Sequence, residues 1–193
     1  MSVLVGADGR ARCAWAGNDP EYVRYHDEEW GHPLHGDGPL FEKLCLEGFQ
    51  AGLSWITILR RRPAFRWTFD GFDPTRVAAY GPAEIEARLQ DTGIIRNRAK
   101  IEATVTNARA LLAMQAADGD GALDRLVWSH APTGWRPRPR SLDDVPATTP
   151  ESTALSKALK RTGFRFVGPT TMYALMQAAG LVDDHVEGCW RAG

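Results

Sequence analysis

Cysteine is scarce in this chain, with only Cys13, Cys45 and Cys189 among 193 residues. Three scattered thiols are too few for the disulfide framework of a secreted domain, so burial or metal binding in a reducing compartment is their expected use. Long apolar runs are also absent, and the first ten residues lack the basic start and apolar core of a signal peptide. The sequence therefore predicts a soluble cytoplasmic protein with no membrane partner.

Neither sign of charge is in excess, because 23 Lys and Arg residues stand against 24 Asp and Glu residues. A formal net charge of −1 indicates no particular partner. The basic residues nevertheless form short clusters at 60–62, 96–100, 136–140 and 157–161, while acids concentrate elsewhere. This separation permits a basic face for phosphates on a nearly neutral protein, although most such clusters are only solvated surface.

Strand patterns are nearly absent, and apolar residues recur instead at the spacing of helices. Helices are predicted over 38–52, 55–62, 82–90, about 97–115, 149–161 and 170–179. Pro63 is expected to end the second of them, and Thr149 to cap the fifth. The proline-rich region 133–149 is predicted to be an ordered connector. The fold class indicated is all-α.

Two pairs of potential metal ligands stand near the two ends of the sequence. Cys13 and His26 are separated by twelve residues, and His185 and Cys189 by three. Two thiolates and two imidazoles suit tetrahedral zinc, and four protein ligands would leave no position for a reactive water. The pattern permits a structural zinc that joins the termini. The alternative is that the cysteines are ordinary buried side chains and His26 a surface histidine.

The segment LQDTGIIRNRAK, residues 89–100, has the form of a helix-hairpin-helix. A short turn at Gly93 would leave backbone N–H groups free to hold a phosphate, with Arg96, Arg98 and Lys100 nearby. The alternative is a plain helical corner that carries solvated arginines.

Aromatic residues gather around the first metal half-site, and a further tryptophan follows a glycine-rich break: Trp15, Tyr22, Tyr25, Trp30 and Trp55. Glu47 lies at the edge of the apolar face of its predicted helix. Stacking rings beside a carboxylate suit a flat cationic ligand such as an alkylated base. The alternative is that the rings belong to the core and that Glu47 is a solvated rim residue.

Five blocks of sequence occur in order with compatible spacing: CAW, DPEYVRYHDEEWG, LFEKLCLEGFQAGLSWITIL, GIIRNRAKI and SKALKRTGFRFVGPTTMYALMQAAGLVDDHVEGC. Together they closely resemble the DNA-3-methyladenine glycosylase I family, the Tag-type enzymes of bacterial base-excision repair. The resemblance extends from about Cys13 to Cys189 and implies the all-helical helix-hairpin-helix glycosylase fold. It implies one unit over 13–193, with a hairpin at about 82–115 and zinc-binding segments at 13–26 and 185–189. Residues 1–12 are then expected to form a flexible extension.

The resemblance also implies roles for individual residues. Four positions match the family's ligands for one structural Zn²⁺ per chain: Cys13, His26, His185 and Cys189. Glu47 matches the carboxylate that hydrogen-bonds the flipped base, and Trp55 the ring stacked on that base. Three positions match other walls of the base pocket: Tyr25, Trp15 and Tyr22. Four hairpin residues are expected to contact the DNA backbone: Gly93, Arg96, Arg98 and Lys100.

A catalytic aspartate of the wider superfamily has no counterpart here, because the stretch ARALLAMQAADGD, residues 108–120, carries no acid before Asp118. Asn97 stands near the position of the lysine that gives other members a lyase step. The resemblance therefore implies a monofunctional hydrolase that depends on Glu47, releases free 3-methyladenine and leaves an abasic site. Methylation at N3 already makes the leaving base cationic, which explains how the aspartate can be missing.

The implied partner is double-stranded DNA that contains alkylated bases, with no obligate protein partner and a monomeric enzyme acting beside the bacterial chromosome. Three alternatives remain open from the residues. The chain could be a zinc-stapled DNA-binding module without catalysis, a zinc hydrolase, or a glycosylase of the same fold for another lesion.

Overall fold

The computed structural model describes residues 2–134 and 136–192. The helices of this part are, in chain order, α1 (Pro20–Glu28), α2 (Asp37–Gln50), α3 (Trp55–Thr68), α4 (Pro74–Ala78), α5 (Pro82–Gln90), α6 (Arg98–Asp118), α7 (Ala122–Trp128), α8 (Pro150–Arg161) and α9 (Pro169–Ala178). Short 3₁₀ turns cover Ala14–Ala16, Asp70–Phe72 and Leu142–Asp144. The prediction of a mainly helical protein is confirmed.

Helix starts follow the local signals of the sequence closely. Pro82, Pro150 and Pro169 each open a helix, where the missing N–H of proline removes no helical hydrogen bond. Thr149 caps α8 by accepting a hydrogen bond from the Ser152 amide at 3.2 Å. These starts could be read from the sequence because caps depend on neighbours only a few residues away.

The predicted end of the second helix at Pro63 is wrong, since α3 continues through this proline to Thr68. An interior proline costs a helix about 3 kcal/mol. Phe65 and Phe69 beyond it are fully buried, and each contributes roughly 1.5–3 kcal/mol by leaving water. Packing against the core therefore outweighs the local helix breaker.

The first residues form a β-hairpin, where the sequence predicted a flexible extension over 1–12. Strand β1 (Val3–Val5) pairs antiparallel with β2 (Ala11–Cys13), with Val3 opposite Cys13. Arg12 anchors the hairpin to α1, because its guanidinium contacts Asp8 at 2.6 Å and Asp27 at 2.7 Å. Strands of three residues are too short to display an alternating pattern, so these two could not be predicted from the order of polar and apolar residues.

Helix α2 organises the core and is buried along most of its length. It packs against α3, α6, α7 and α9. Lys100 of α6 closes its C-terminal end, donating hydrogen bonds to the Phe49 carbonyl at 2.9 Å and the Ala51 carbonyl at 2.7 Å. This contact fixes the loop that follows α2. In the described part of the chain, no helix combines the length and apolar character needed to cross a membrane.

Candidate active site and metal centre

A cavity of about 190 Å³ opens where α1, α2, the start of α3 and α9 meet. Its walls are formed by Trp15, Tyr22, Tyr25, Trp30, Glu47, Gln50, Trp55, Leu142, Val145, Ala174, Gln177, Ala178 and Asp184. The five residues predicted to bind a base all lie in these walls, although the sequence separates them by up to forty positions. Seven walls were not predicted to take part from the sequence: Gln50, Leu142, Val145, Ala174, Gln177, Ala178 and Asp184.

The aromatic walls contact one another and form a continuous surface. The Trp15 ring lies 5.0 Å from the Tyr22 ring, and the Tyr25 ring lies 5.5 Å from that of Trp55. Trp55 is the first residue of α3, and its buried indole N–H has no hydrogen-bond partner in the described structure. A buried donor without a partner is costly, so a ligand with an acceptor would find a place there.

Glu47 is the acidic wall of this cavity and is only 4% exposed. Burial raises the pKa of this carboxyl to about 7, and the Lys43 ammonium one helical turn earlier acts in the opposite direction. No described residue donates a hydrogen bond to the carboxylate. A buried acceptor with nothing to accept from indicates a place for a ligand that carries N–H donors.

Asp184 is a second carboxylate in the same cavity, and its acceptors are already occupied. Its Oδ2 accepts hydrogen bonds from the Tyr173 hydroxyl at 2.6 Å and the Gln177 amide at 2.9 Å. Arg136 approaches its other oxygen at 3.7 Å. Asp184 was not predicted from the sequence, although its position directly before a predicted metal ligand could have placed it close to the aromatic cluster.

Next to the cavity, three predicted metal ligands lie together and are buried. Ligand atoms of Cys13, His26 and Cys189 are all within 4.8 Å of one another. The Cys189 Sγ is 3.4 Å from the Nε2 of His26. The fourth predicted ligand, His185, has its ring centroid 5.1 Å from that of His26. The two ends of the chain therefore meet, as the ligand pattern requires.

Both imidazoles are oriented in the manner of metal-binding histidines. Asp27 holds the Nδ1 of His26 at 2.8 Å, and Asp183 holds the Nδ1 of His185 at 2.8 Å. A carboxylate on one ring nitrogen leaves the other nitrogen as the ligand atom. The Nε2 of His185 is buried and has no hydrogen-bond partner in the described structure. Two thiols with two such nitrogens fit a zinc ion by their chemistry.

Glycine at position 31 is required by this arrangement. A Cβ there would lie 2.8 Å from the Cε1 of His185, closer than real Cβ contacts. Trp30, beside it, has its ring centroid 4.6 Å from the His185 ring and also lines the cavity. The metal centre and the cavity thus share a wall.

A wider cleft of about 670 Å³ lies beside the metal centre, along the basic cluster 136–140. Two of its cations, Arg136 and Arg138, are already engaged by acids of the C-terminal segment. Arg138 pairs with Asp183 at 3.0 Å and donates a hydrogen bond to the His185 carbonyl at 3.1 Å. These contacts hold the C-terminal segment that carries the candidate metal ligands, and none of the described residues that line the cleft is aromatic.

The predicted hairpin joins α5 to α6 through a turn at 91–97. Gly93 is needed for close packing, because a Cβ there would lie 2.9 Å from the Ala64 Cβ. Its amide is not free as predicted, since it donates to Asp91 Oδ1 at 2.7 Å. Arg96 is exposed and has no side-chain partner in the described structure, whereas exposed Arg98 pairs with Glu86 at 2.6 Å.

Lys100 does not lie where a phosphate contact requires it. Its side chain is buried, and its ammonium donates to the Phe49 and Ala51 carbonyls at the end of α2. The predicted DNA-backbone role of Lys100 is therefore corrected to a structural one. The segment RNRAK suggested a uniform basic edge, but exposed Arg98 and buried Lys100 are two positions apart on α6 and therefore lie on opposite faces of the helix.

Comparison with known proteins gives consistent matches over nearly the whole chain. The family model described as methyladenine glycosylase matches residues 15–192. DNA-3-methyladenine glycosylase 1 of Escherichia coli (strain K12) is 50% identical over 181 residues, which cover 92% of this chain and 95% of that protein.

Solved structures agree with the sequence matches. The crystal structure of a 3-methyladenine DNA glycosylase I superposes with a TM-score of 0.88 at 50% identity, covering 93% of this chain and 98% of that one. A variant of a 3-methyladenine DNA glycosylase I, crystallised in complex with 3-methyladenine, gives a TM-score of 0.85 at 35% identity, covering 92% and 95%.

Proposed function

This chain belongs to the methyladenine glycosylase family, and we propose from that premise that it is a DNA-3-methyladenine glycosylase. It hydrolyses the N-glycosidic bond of 3-methyladenine in alkylated double-stranded DNA, releases the free base and leaves an abasic site for base-excision repair. The observation that carries this proposal is the ring-lined cavity with an unbonded, buried carboxylate at Glu47. One chain supplies every wall, so a monomer suffices, and the bacterial relatives favour action on chromosomal DNA in the cytoplasm.

The damaged nucleotide must leave the base stack to reach this cavity. A flipped purine would lie between the rings of Tyr25 and Trp55 on one side and Trp15 on the other, with its edge toward Glu47. Electron-rich ring faces favour a cation, and N3-methylated adenine carries a positive charge while it is still attached to the sugar. Stacking of this kind contributes about 1–3 kcal/mol per base.

Glu47 is the acceptor best suited to the purine edge. Asp184 already accepts from Tyr173 and Gln177, whereas the Glu47 carboxylate is free to accept from the N–H groups of adenine. Hydrogen bonds to charged groups contribute about 1.5–3 kcal/mol each. We assign Glu47 to recognition and to charge stabilisation of the cationic base, and not to abstraction of a proton from water.

The chemical step then needs little acid catalysis. When the bond between sugar C1′ and N9 breaks, its electron pair passes to N9 and the base leaves as a neutral molecule. Water adds its oxygen to C1′ and gives up a proton to solvent. The enzyme holds the flipped nucleotide, and the negative charge of Glu47 lies near the positive charge that moves from base to sugar.

Four residues would hold one structural Zn²⁺: Cys13, His26, His185 and Cys189. A metal with four protein ligands supplies no reactive water, and its contribution is to cross-link segments distant in sequence. The buried, unpartnered Nε2 of His185 and the carboxylates behind both imidazoles support this assignment. A zinc ion held by these residues would stabilise the shared wall at Trp30 and would take no part in the reaction.

The turn between α5 and α6 is the proposed site of contact with the DNA backbone, and its exposed cations are Arg96 and Arg98. Arg96→Ala is expected to weaken binding of damaged and undamaged duplexes alike and to reduce the slope of log Kd against log salt by about 1. Fluorescence titration of both duplexes over a range of salt measures this slope. Arg161→Ala, at the exposed end of α8, is the matched control and should leave the slope unchanged. A loss confined to damaged DNA would contradict a backbone role.

Leu53 is proposed to fill the gap left by the flipped nucleotide. It is 41% exposed and lies in the loop between Gln50 and Trp55, which both line the cavity. Apolar side chains inserted between base steps are a common device of proteins that distort DNA. Leu53 was not predicted from the sequence, because an exposed leucine is ordinary until its position relative to the cavity is known.

Leu53→Ala is expected to reduce excision from duplex DNA by about tenfold while leaving affinity for free 3-methyladenine unchanged. Single-turnover excision and tryptophan-fluorescence titration with the free base measure the two quantities. Trp67→Ala, which removes an 87% exposed indole from α3 outside the cavity, serves as the control. An equal loss of free-base binding would show that Leu53 belongs to the pocket and does not act on the duplex.

The function itself is tested by incubating the purified protein with methylated duplex DNA and identifying the released base by chromatography. Release of 3-methyladenine above the rate in buffer is expected. DNA binding without release would favour the alternative of a binding module, and release of a different base would favour a glycosylase for another lesion.

A further inference from the structure

Lys43 is a buried lysine that the proposed reaction leaves without a role. It lies on α2 one turn before Glu47 and is only 9% exposed. Residues four apart on a helix share a face, about 6 Å apart at their Cβ atoms. No carboxylate of the described residues lies within 4.0 Å of its ammonium, so Lys43 has no ion-pair partner in direct contact.

The Lys43 ammonium packs against two of the aromatic residues that line the cavity. Its Nζ is 5.0 Å from the ring centroids of both Tyr25 and Trp55 and 3.4 Å from the Tyr25 hydroxyl oxygen. Lys43 itself does not line the cavity. Two ring faces and a phenol oxygen stabilise the charged form of the amine, which places a positive charge just outside the base site.

We propose that Lys43 is a positioning residue that keeps the Glu47 carboxylate ionised inside the cavity, so that Glu47 accepts hydrogen bonds from the base. The inference rests on the proposed function for the identity of that base. A protonated Glu47 would present a hydroxyl donor to the purine edge, and one of its acceptor oxygens would be lost.

The electrostatics follow from burial and distance. Burial of Glu47 favours its neutral form, and Lys43 is the cation that opposes this effect. Burial also lowers the pKa of Lys43, while Glu47 and Glu29 act to raise it. The two groups therefore stabilise each other's charged forms across one helical turn.

Other charged groups around the pair are neutralised locally. Glu29 on α1 is bound by Arg62 of α3, with a contact of 2.8 Å. Asp184, from the C-terminal segment, is held by Tyr173 and Gln177, with Arg136 nearby. Tyr22 and Tyr25 are the remaining titratable walls, and burial raises the pKa of each. Lys43 is thus the cation left to act on Glu47.

The test replaces Lys43 by methionine, which matches its length without charge, and follows the side-chain carboxyl of Glu47 by ¹³C NMR. Comparison with the Glu47→Gln spectrum assigns the signal. In the wild-type protein the midpoint is expected near pH 7, at the pKa of about 7 that burial gives Glu47. Lys43→Met should raise it by about one to two pH units. Lys43→Gln provides a second neutral variant, and Lys43→Arg should restore the wild-type midpoint.

Binding of free 3-methyladenine supplies the functional readout. Lys43→Met should weaken it about tenfold near neutral pH, while its resistance to urea stays equal or rises because a buried charge is gone. Lys157→Met removes a charge from exposed α8 and should change neither midpoint nor binding. An unchanged Glu47 midpoint in Lys43→Met and Lys43→Gln would overturn the inference. If Lys43→Met shifts the Glu47 midpoint but the wild-type protein binds no 3-methyladenine, the coupling is upheld and the proposed function is refuted.

Discussion

Glu47→Gln is expected to lower excision of 3-methyladenine on the order of 100-fold, because the amide replaces one charged acceptor with a donor facing the purine N–H groups. The cavity, its ring walls and the metal centre should persist, since glutamine has the same shape as glutamate. Single-turnover excision measures the loss, and metal content checks that the fold is intact. Wild-type rates in this variant would contradict the role proposed for Glu47.

The same substitution is expected to stabilise the fold at high pH. Burial raises the pKa of Glu47 from 4.5 to about 7, so the unfolded chain releases this proton first as pH rises. Stability contributed by the protonated group is therefore fully present below about pH 4.5 and is lost as pH rises to about 7. Glutamine does not titrate. The free energy of unfolding of Glu47→Gln, relative to that of the wild type, should therefore rise over this window by about 3 kcal/mol and then remain constant.

Urea unfolding at about pH 5 and about pH 8 measures this advantage. Glu28→Gln is the matched control, because its side chain is 64% exposed and approaches only exposed Arg24, at 3.9 Å, among the described ion pairs. It should leave the pH dependence of stability unchanged. A Glu47→Gln protein that is less stable than the wild type at about pH 8 would show that the carboxylate contributes to folding and that its burial carries no cost.

Cys189→Ser, or removal of metal by a chelator, is expected to lower the free energy of unfolding by several kcal/mol and to loosen both chain ends. The buried cluster at the metal centre is small, consisting of Cys13, Val186 and Cys189 with a few half-buried neighbours. Little apolar burial would hold the hairpin and the C-terminal segment together without the ion. Excision should fail only as the protein unfolds, because the metal takes no part in the chemistry.

Calorimetry with and without chelator, together with elemental analysis for zinc, tests this expectation. Cys45→Ala is the control, since Cys45 is buried beside Thr104 and Asn107 in the main core. That variant should lose packing energy and still bind one metal ion. A Cys189→Ser enzyme that melts like the wild type but excises no base would indicate a catalytic metal.

Helices and their starts were predictable because the signals that set them are local. Pro82, Thr149 and Pro169 act on residues within one turn, and the structure places α5, α8 and α9 accordingly. The continuation of α3 beyond Pro63 was not predictable in the same way. It depends on burial of Phe65 against Phe49, whose ring lies 4.7 Å away and belongs to another helix.

The pocket was predictable by residue type and resemblance, but its second carboxylate and its buried lysine were not. Asp184 and Lys43 look in the sequence like ordinary charged residues, one in an acidic run and one on a helix. Only the fold turns both toward the aromatic rings. Lys100 illustrates the reverse case, because a basic cluster suggested a surface charge where the fold required an internal one.

The hydrogen bonds of Lys100 connect the turn between α5 and α6 to the loop that follows α2. This lysine belongs to α6, which begins beside the proposed phosphate-binding turn, and its ammonium is hydrogen-bonded to the carbonyls at the end of α2. The residues that follow include Leu53 and Trp55, so a displacement of the hairpin is expected to shift the two side chains proposed to separate and bind the nucleotide. Substitutions that alter backbone contact at the turn between α5 and α6 are therefore expected to alter the shape of the base cavity as well.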